Sequence, residues 1–180
     1  MEKKIARENL FLLEFLVDHV TLSPFCDCAA PGGEKCVEFQ VLDNEPLYIC
    51  ESDFLTQGKK SSKSSKSSNN KKPKGCYFSI NGHRAEYSLE RFDIYVTVYK
   101  RMVLGWKPQR AEVGMAVISI SKIFCDLICD MASIKCRGTP SPVKTMKFEG
   151  NLEKLNGNFA GTIGIGIRLS CVNKNCYDKI

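Results

Sequence analysis

The sequence has few of the residues that usually mark a catalytic centre. Its 180 residues include only two histidines, His19 and His83, and one tryptophan. The motifs G-x-S-x-G and H-E-x-x-H and the Walker phosphate loop are absent. The glycines from Gly161 to Gly166 are not a dinucleotide fingerprint, because no helix follows them. We therefore expect no enzyme and no cofactor.

Long apolar runs are also absent. No stretch approaches the roughly 18 apolar residues that a membrane-spanning helix needs. The segment from Leu10 to Leu22 resembles a signal peptide, but Glu14, Asp18 and His19 interrupt it and no small-residue cleavage site follows. We expect this segment to lie in the protein core.

Cysteine is abundant, with ten residues, but the CxxC spacing of a zinc knuckle is missing. Without a signal peptide, the simplest expectation is reduced thiols in a cytosolic protein. Several of them would pack as small apolar side chains. Metal binding stays open as an alternative, with Cys26, Cys28 and Cys36 as its candidate ligands.

Alternating apolar and polar residues predict strands along most of the chain. The clearest strand runs from Ala160 to Val172, where one parity is apolar at every position: Ile163, Ile165, Ile167, Leu169 and Cys171. Further strands are predicted at Val37–Val41, with a short continuation at Leu47–Ile49, and at Cys76–Ile80, Arg91–Val103, Val113–Ser121 and Lys144–Glu149. Leu10–Leu22 is so continuously apolar that periodicity does not distinguish a buried strand from a helix.

One helix is predicted, from Ser121 to Ile134. Ser121 can cap it, and an apolar stripe follows at helical spacing: Ile123, Phe124, Leu127, Ile128 and Met131. Phe25–Lys35 is predicted to be a loop, and turns are predicted at Asn81–Gly82, Gly105–Pro108 and Asn156–Asn158. Seven or eight strands with one helix and no β-α alternation predict an all-β fold, an antiparallel β-sandwich.

The positive charge is concentrated in one segment. Between Gly58 and Gly75 there are seven lysines and no acidic residue, while the net charge of the whole chain is +6. The rest of the chain is therefore close to neutral. The seven lysines are Lys59, Lys60, Lys63, Lys66, Lys71, Lys72 and Lys74.

This lysine-rich segment, residues 58–75, cannot bury enough apolar surface to offset the entropy lost on ordering, so we expect a disordered loop. Strand patterns resume at Cys76. The loop is therefore predicted to be an insertion within one domain, residues 8–176, and not a linker between two domains.

The order of these segments resembles the divergent C2-like domain at the N-terminus of the microtubule-associated protein 10 family. The resemblance covers about Leu10 to Val172. It is carried by L-F-L-L-E-F-L-V-D-H-V-T-L, by C-V-E-F-Q-V-L-D-N-E-P-L-Y-I, by G-C-Y-F-S-I, by G-M-A-V-I-S-I-S-K-I-F and by the closing G-T-I-G-I-G-I-R-L. It implies a C2-like sandwich in a cytoskeletal or centrosomal adaptor that docks proteins and lacks a calcium site.

The acidic residues agree with the absence of a calcium site. Calcium needs several oxygen ligands that converge from loops. The sequence has no D-x-D pair, and the first loop offers only Asp27. Calcium-dependent membrane docking is therefore not expected.

The lysine-rich segment is the first candidate binding element. A flexible basic run attracts polyanions such as acidic tubulin tails, nucleic acid or anionic lipid headgroups. It has no arginine and no aromatic residue, so we expect weak polyanion contact without specific nucleic-acid recognition. Two other interpretations stay open: a solubilising loop without a dedicated partner, and a nuclear import signal at Lys71–Lys74.

The outward-facing side of the predicted strand Arg91–Val103 is the second candidate binding element. Tyr95, Tyr99 and Arg101 lie on it, and tyrosine and arginine are enriched at binding hot spots. An ordinary half-exposed sheet face is the alternative. The function predicted from the sequence is a non-enzymatic protein–protein interaction module, a cytoskeletal adaptor with tubulin or centrosomal partners. Calcium-independent binding to anionic membranes and a nuclear adaptor remain as alternatives.

Overall fold

The computed structural model describes residues 9–28, 32–54, 73–80, 91–104, 107–133 and 141–172. In this part of the chain there are eight strands: β1 (Asn9–Leu22), β2 (Glu34–Val41), β3 (Leu47–Cys50), β4 (Lys74–Ile80), β5 (Asp93–Leu104), β6 (Lys107–Ser119), β7 (Val143–Glu153) and β8 (Phe159–Cys171). The helices there are α1 (Pro24–Cys28), α2 (Glu51–Phe54) and α3 (Ser121–Ser133).

All strand pairs are antiparallel, in the order β3-β2-β5-β6-β7-β8-β1-β4. A single residue pair, Met115 with Glu153, joins β6 to β7. The strands therefore form two four-stranded halves, β3-β2-β5-β6 and β7-β8-β1-β4. Their apolar faces meet where Phe15 of β1 stacks on Phe39 of β2, with ring centroids 4.2 Å apart. The predicted antiparallel sandwich is confirmed.

The ambiguous segment Leu10–Leu22 is a strand. β1 pairs with β4 along one edge and with β8 along the other. Its inward residues, Phe11, Leu13, Phe15 and Val17, are buried in the core. The prediction that this segment belongs to the core is confirmed, and its position in the middle of a half explains its continuous apolar character.

The two clearest alternating patterns are confirmed. In β8 the predicted apolar parity is buried, namely Ile163, Ile165, Ile167, Leu169 and Cys171. In and just before β5 the inward residues Phe92, Ile94, Val96 and Val98 are buried as well.

The segment Leu47–Ile49 is not a continuation of the preceding strand, as the sequence pattern had indicated. The chain reverses after Val41, and β3 pairs antiparallel with β2, with Leu47 opposite Phe39. The Gln40 side chain stabilises the reversal, because its Nε2 donates to the carbonyls of Leu42 and Asn44, each at 2.8 Å. Leu42 adopts a positive φ of 50° in this turn.

The helix α3 closes the core. Three residues of its apolar stripe, Phe124, Leu127 and Met131, are buried. The Phe124 ring lies 5.3 Å from both Phe11 and Phe92, measured between centroids. The helix prediction is confirmed. The hydroxyl of Ser121, its first residue, accepts a 2.7 Å hydrogen bond from the backbone N–H of Phe92 and ties the helix to the start of β5.

Some boundaries differ from the sequence prediction, and others are not tested. Lys107 and Pro108 belong to β6 and not to a turn, and the loop predicted at Phe25–Lys35 contains most of α1. The turn at Asn156–Asn158 is confirmed, with Gly157 at a φ of 78°. The Asn81–Gly82 turn and residues 58–72 of the lysine-rich segment lie outside the described residues.

Candidate interaction site

Asp53, which precedes the lysine-rich segment, is joined to Lys74, the last lysine of that segment. Lys74, the first residue of β4, places its Nζ 2.8 Å from Oδ2 of Asp53 in α2. The same Nζ donates to the backbone carbonyl of Tyr48 at 3.3 Å, and Oδ2 of Asp53 accepts the N–H of Cys50 at 2.8 Å. We call α2 together with Lys74 the loop root.

A second carboxylate ties the loop root to the sheet. Oε1 of Glu34 in β2 accepts the backbone N–H of Ser52 at 3.2 Å, and Oε2 pairs with Arg101 of β5. Hydrogen bonding from Ser52, with a smaller contribution from Arg101, holds the pKa of Glu34 below its usual value despite some burial. The root is therefore attached to β2 and β3 and includes the start of β4, while Glu34 itself is linked to Arg101 of β5.

The pKa of Asp53 is also lowered. Partial burial alone would raise it, but hydrogen bonds from Lys74 and from the N–H of Cys50 outweigh that effect. The ionised carboxylate therefore stabilises the folded state.

Asp53→Asn is expected to lower the free energy of unfolding at pH 7 by about 1 kcal/mol, because the Lys74 ion pair is lost. A lowered folded-state pKa gives stability that is present above the unfolded value of about 3.9 and is lost as the pH falls through the folded value. The difference from the unmodified protein should therefore shrink below about pH 4. Urea denaturation at pH 7 and pH 3 measures it, with the exposed Asp43→Asn as control. A difference that is equal at both pH values would contradict the assignment.

Lys74 is the one lysine of the candidate set that the structure describes. Its ammonium group forms an ion pair with Asp53. Lys74 therefore contributes less to polyanion binding than a solvated lysine would. Lys59, Lys60, Lys63, Lys66, Lys71 and Lys72 lie outside the described residues.

The candidate protein-binding face on β5 is only partly exposed. Tyr95 is 56% exposed and lies directly opposite Val117 of β6, which is 51% exposed. Tyr99 is only 7% exposed, which corrects the expectation that it lies free on the outer surface. Arg101 is exposed but is paired with Glu34.

Tyr99 is covered by neighbours that the sequence pattern did not reveal. It forms a separate buried cluster with Cys36 and Cys50 on the outer side of β2 and β5. The guanidinium of Arg110 lies 4.0 Å from the centre of the Tyr99 ring, and Tyr48 meets the ring edge-on at 6.4 Å between centroids. Burial raises the pKa of the Tyr99 hydroxyl, although Arg110 opposes this.

Cys36 and Cys50 form a disulfide, which contradicts the expectation of reduced thiols for this pair. They face each other directly across β2 and β3. Periodicity did not reveal this contact, because the β2–β3 turn determines which residues lie opposite each other.

Two of the three metal candidates proposed from the sequence, Cys26 and Cys36, do not come together. Cys26 lies in the main core and Cys36 in the separate Tyr99 cluster, while the side chain of Cys28 is outside the described residues. Among the described residues, one group of ligand-type side chains converges, namely Glu34, Cys36 and Cys50, within 4.8 Å. Because the disulfide consumes both thiolates, this group cannot bind a metal in its oxidised form.

Two aspartates on α3 are engaged with lysines. Oδ2 of Asp130 lies 2.7 Å from Nζ of Lys144, and Oδ2 of Asp126 lies 3.9 Å from Nζ of Lys122. The Asp130–Lys144 pair connects α3 to β7, and the Asp126–Lys122 pair joins neighbouring turns of α3.

The glycines of β8 have distinct roles. A Cβ at Gly161 would lie 2.2 Å from the carbonyl oxygen of Thr21, and one at Gly164 would lie 2.5 Å from the His19 ring. At both positions the absence of a side chain allows a close approach of β1. Gly166 has more room and forms part of an open groove of about 440 Å³, which Leu16 and Arg168 also line.

The fold defines the class of this protein as an antiparallel β-sandwich. Within the described residues, no helix is long and apolar enough to cross a membrane. The family model for the N-terminal domain of microtubule-associated protein 10 matches residues 29–173. The chain belongs to that family, and the resemblance inferred from the sequence is confirmed.

The solved structures that are similar to the chain include the following two. One is a C2 domain of plant extended synaptotagmin 1, with 10% identity, a TM-score of 0.45, and coverage of 92% of this chain and 96% of that one. The other is a structure of CC2D1B, described as coordinating ESRCT-III activity during mitotic reformation of the nuclear envelope. It has 13% identity, a TM-score of 0.39, and coverage of 87% of this chain and 54% of that one. No curated protein matches.

Proposed function

We propose that this domain is a non-enzymatic interaction module that attaches a larger assembly to microtubules or centrosomes. In this proposal the lysine-rich segment contacts the acidic tails of tubulin. Membership of a microtubule-associated family supports the choice of partner.

The observation that carries the proposal is the loop root. Six lysines without an intervening acid lie between Asp53 and Lys74, and Nζ of Lys74 lies 2.8 Å from Oδ2 of Asp53. The described residues before the segment and at its end therefore belong to one site on a fixed scaffold. Cations presented from one site raise the local attraction for a polyanion more than the same charges dispersed over the surface.

Co-sedimentation of the purified domain with microtubules tests the proposal. Replacing Lys59, Lys63 and Lys66 by glutamine removes three positive charges from the segment. We expect the dissociation constant to rise about tenfold or more, since a lysine near an anionic surface contributes about 1 kcal/mol. The binding should also weaken with salt, and it should weaken when the acidic tubulin tails are removed.

The matched control removes three charges from the folded body instead. Lys122, Lys147 and Lys154 are exposed, and their replacement by glutamine should change binding less than threefold. If both triple variants weaken binding equally, net charge and not the segment is responsible. If neither does, the segment is a solubilising loop. Binding that tracks the anionic content of lipid vesicles would favour the membrane alternative.

A second contact surface is the exposed part of the β5–β6 face, formed by Tyr95 and Val117. Their exposure and their direct pairing across the strands support this role, whereas Tyr99 and Arg101 are committed to intramolecular contacts. Tyr95→Ala is expected to reduce the recovery of protein partners that persist after the segment is neutralised.

A further inference from the structure

The Cys36–Cys50 disulfide occupies a position where the strand ladder has no hydrogen bond. The backbone N–H of Cys50 donates to Asp53 and therefore does not point towards β2. Directly opposed residues in an antiparallel pair alternate between hydrogen-bonded and non-hydrogen-bonded positions. Cys36 and Cys50 are thus a non-hydrogen-bonded pair, and the covalent bond is the link between β2 and β3 at that end.

The strand attached by this bond is short and lies at the edge of the sheet. β3 has four residues, and it is the terminal strand in the order of the sheet. By the same alternation, only Val37–Ile49 and Phe39–Leu47 are hydrogen-bonded pairs. Immediately after Cys50 the chain enters α2. Cys50 therefore lies at the junction of the edge strand and the loop root, and the disulfide fixes this junction to β2.

The two sulfur-bearing residues differ in exposure. Cys36 is fully buried, whereas Cys50 keeps 8% of its surface exposed. An external thiolate would therefore approach from the side of Cys50. Reaction at an accessible sulfur is the first step of thiol–disulfide exchange.

We propose that Cys36–Cys50 is a reversible redox site that reacts with dithiols and controls the order of β3 and the loop root. This inference rests on the proposed function in one respect. A microtubule-bound domain works in a reducing compartment, where disulfides are usually transient or redox-sensing.

The reaction balances as an ordinary exchange with a dithiol. A thiolate of the dithiol attacks Sγ of Cys50, a mixed disulfide forms, and Sγ of Cys36 leaves as a thiolate that takes a proton. The second thiol of the dithiol then attacks the dithiol's first sulfur, which is bonded to Sγ of Cys50 in the mixed disulfide. This step releases Cys50 as a thiolate, which is also protonated. Two electrons and two protons pass to the cysteine pair, and the dithiol becomes a cyclic disulfide.

Reduction leaves β3 with two hydrogen-bonded pairs and no covalent link. Local opening of an edge strand exposes its amides to solvent exchange. Opening at Cys50 also separates the N–H of Cys50 from Asp53 and weakens the Asp53–Lys74 contact. The segment 47–54 and the start of β4 should therefore respond to the redox state, while β8 should not.

Hydrogen exchange with mass spectrometry on the whole chain tests this inference, with oxidised glutathione and dithiothreitol as the probes. We expect oxidised glutathione to yield a Cys36–Cys50 linked peptide, which dithiothreitol removes without denaturant. Exchange at residues 47–54 is expected to rise at least tenfold on reduction, with β8 unchanged. In the double variant Cys36→Ser, Cys50→Ser, hydrogen exchange at residues 47–54 should equal that of the reduced protein, and dithiothreitol should not change it. In the matched variant Cys125→Ser, Cys129→Ser, dithiothreitol should still raise hydrogen exchange at residues 47–54.

Three results would each overturn the inference. They are no linked peptide after oxidation, a disulfide that dithiothreitol reduces only in denaturant, and exchange at residues 47–54 that is the same in both redox states. None of these measurements involves microtubules. A failure of microtubule binding therefore leaves the redox result standing, and a redox failure does not affect the proposed polyanion contact.

Discussion

Phe15→Ala is expected to lower the free energy of unfolding by about 3–5 kcal/mol, the range for truncating a buried phenylalanine. The Phe15 side chain is fully buried, and its stacking on Phe39 joins the two halves of the sandwich. β1 is paired along both edges, so the strand cannot shift to fill the cavity that alanine would leave. Urea denaturation followed by circular dichroism measures the loss.

Phe25→Ala is the matched control for this prediction. Phe25 is 87% exposed, so the same truncation should change the free energy of unfolding by less than about 0.5 kcal/mol. Equal losses for the two variants would show that Phe15 is not part of a packed interface between the halves.

Gly161→Ala is expected to destabilise the domain by at least about 3 kcal/mol, through backbone strain and steric overlap together. Gly161 has a φ of 156°, which residues with a side chain rarely adopt. A Cβ there would lie 2.2 Å from the carbonyl oxygen of Thr21 and 2.9 Å from Cα of Leu22. Because both are backbone atoms, β1 and β8 would have to separate. Thermal denaturation measures the effect.

Gly166→Ala provides the comparison on the same strand. Its nearest neighbours would be Cβ and the carbonyl oxygen of Leu16, at 3.7 and 3.8 Å from the new methyl group. These are ordinary van der Waals distances, so a change of less than about 1 kcal/mol is expected. If Gly166→Ala were as damaging as Gly161→Ala, the cause would lie in the glycine content of β8 and not in the close approach to β1.

The alternation in β8 was sufficient to predict both the strand and its buried face, because apolar residues at period 2 can be buried only on one side of a sheet. The pattern in β1 was not sufficient to predict a strand. Its outward leucines, such as Leu12 and Leu16, removed the alternation. The choice between helix and strand depended on the pairing with β4 and β8, which lie far away in the sequence.

The candidate site was predicted in part. The sequence identified Tyr95 as outward-facing, and the structure agrees. It also placed Tyr99 outward but could not show that Cys36 and Cys50 cover it, because that contact depends on the register between β2, β3 and β5. Val117 could have been found by the same alternation in the strand that pairs with Tyr95. The loop root could not have been found in this way, because no local sequence pattern relates residues 53 and 74.

By itself, the sequence determined the fold class, the faces of the regular strands, the helix α3 and the concentration of positive charge in one segment. These features follow from local periodicity and composition, which act within a few residues. Only the tertiary structure decided that β1 is a strand, that β3 turns back on β2, that Cys36 meets Cys50 and that Asp53 holds Lys74. The reason is physical: strand pairing and register are set by contacts between distant segments, whose energies depend on the whole packed core.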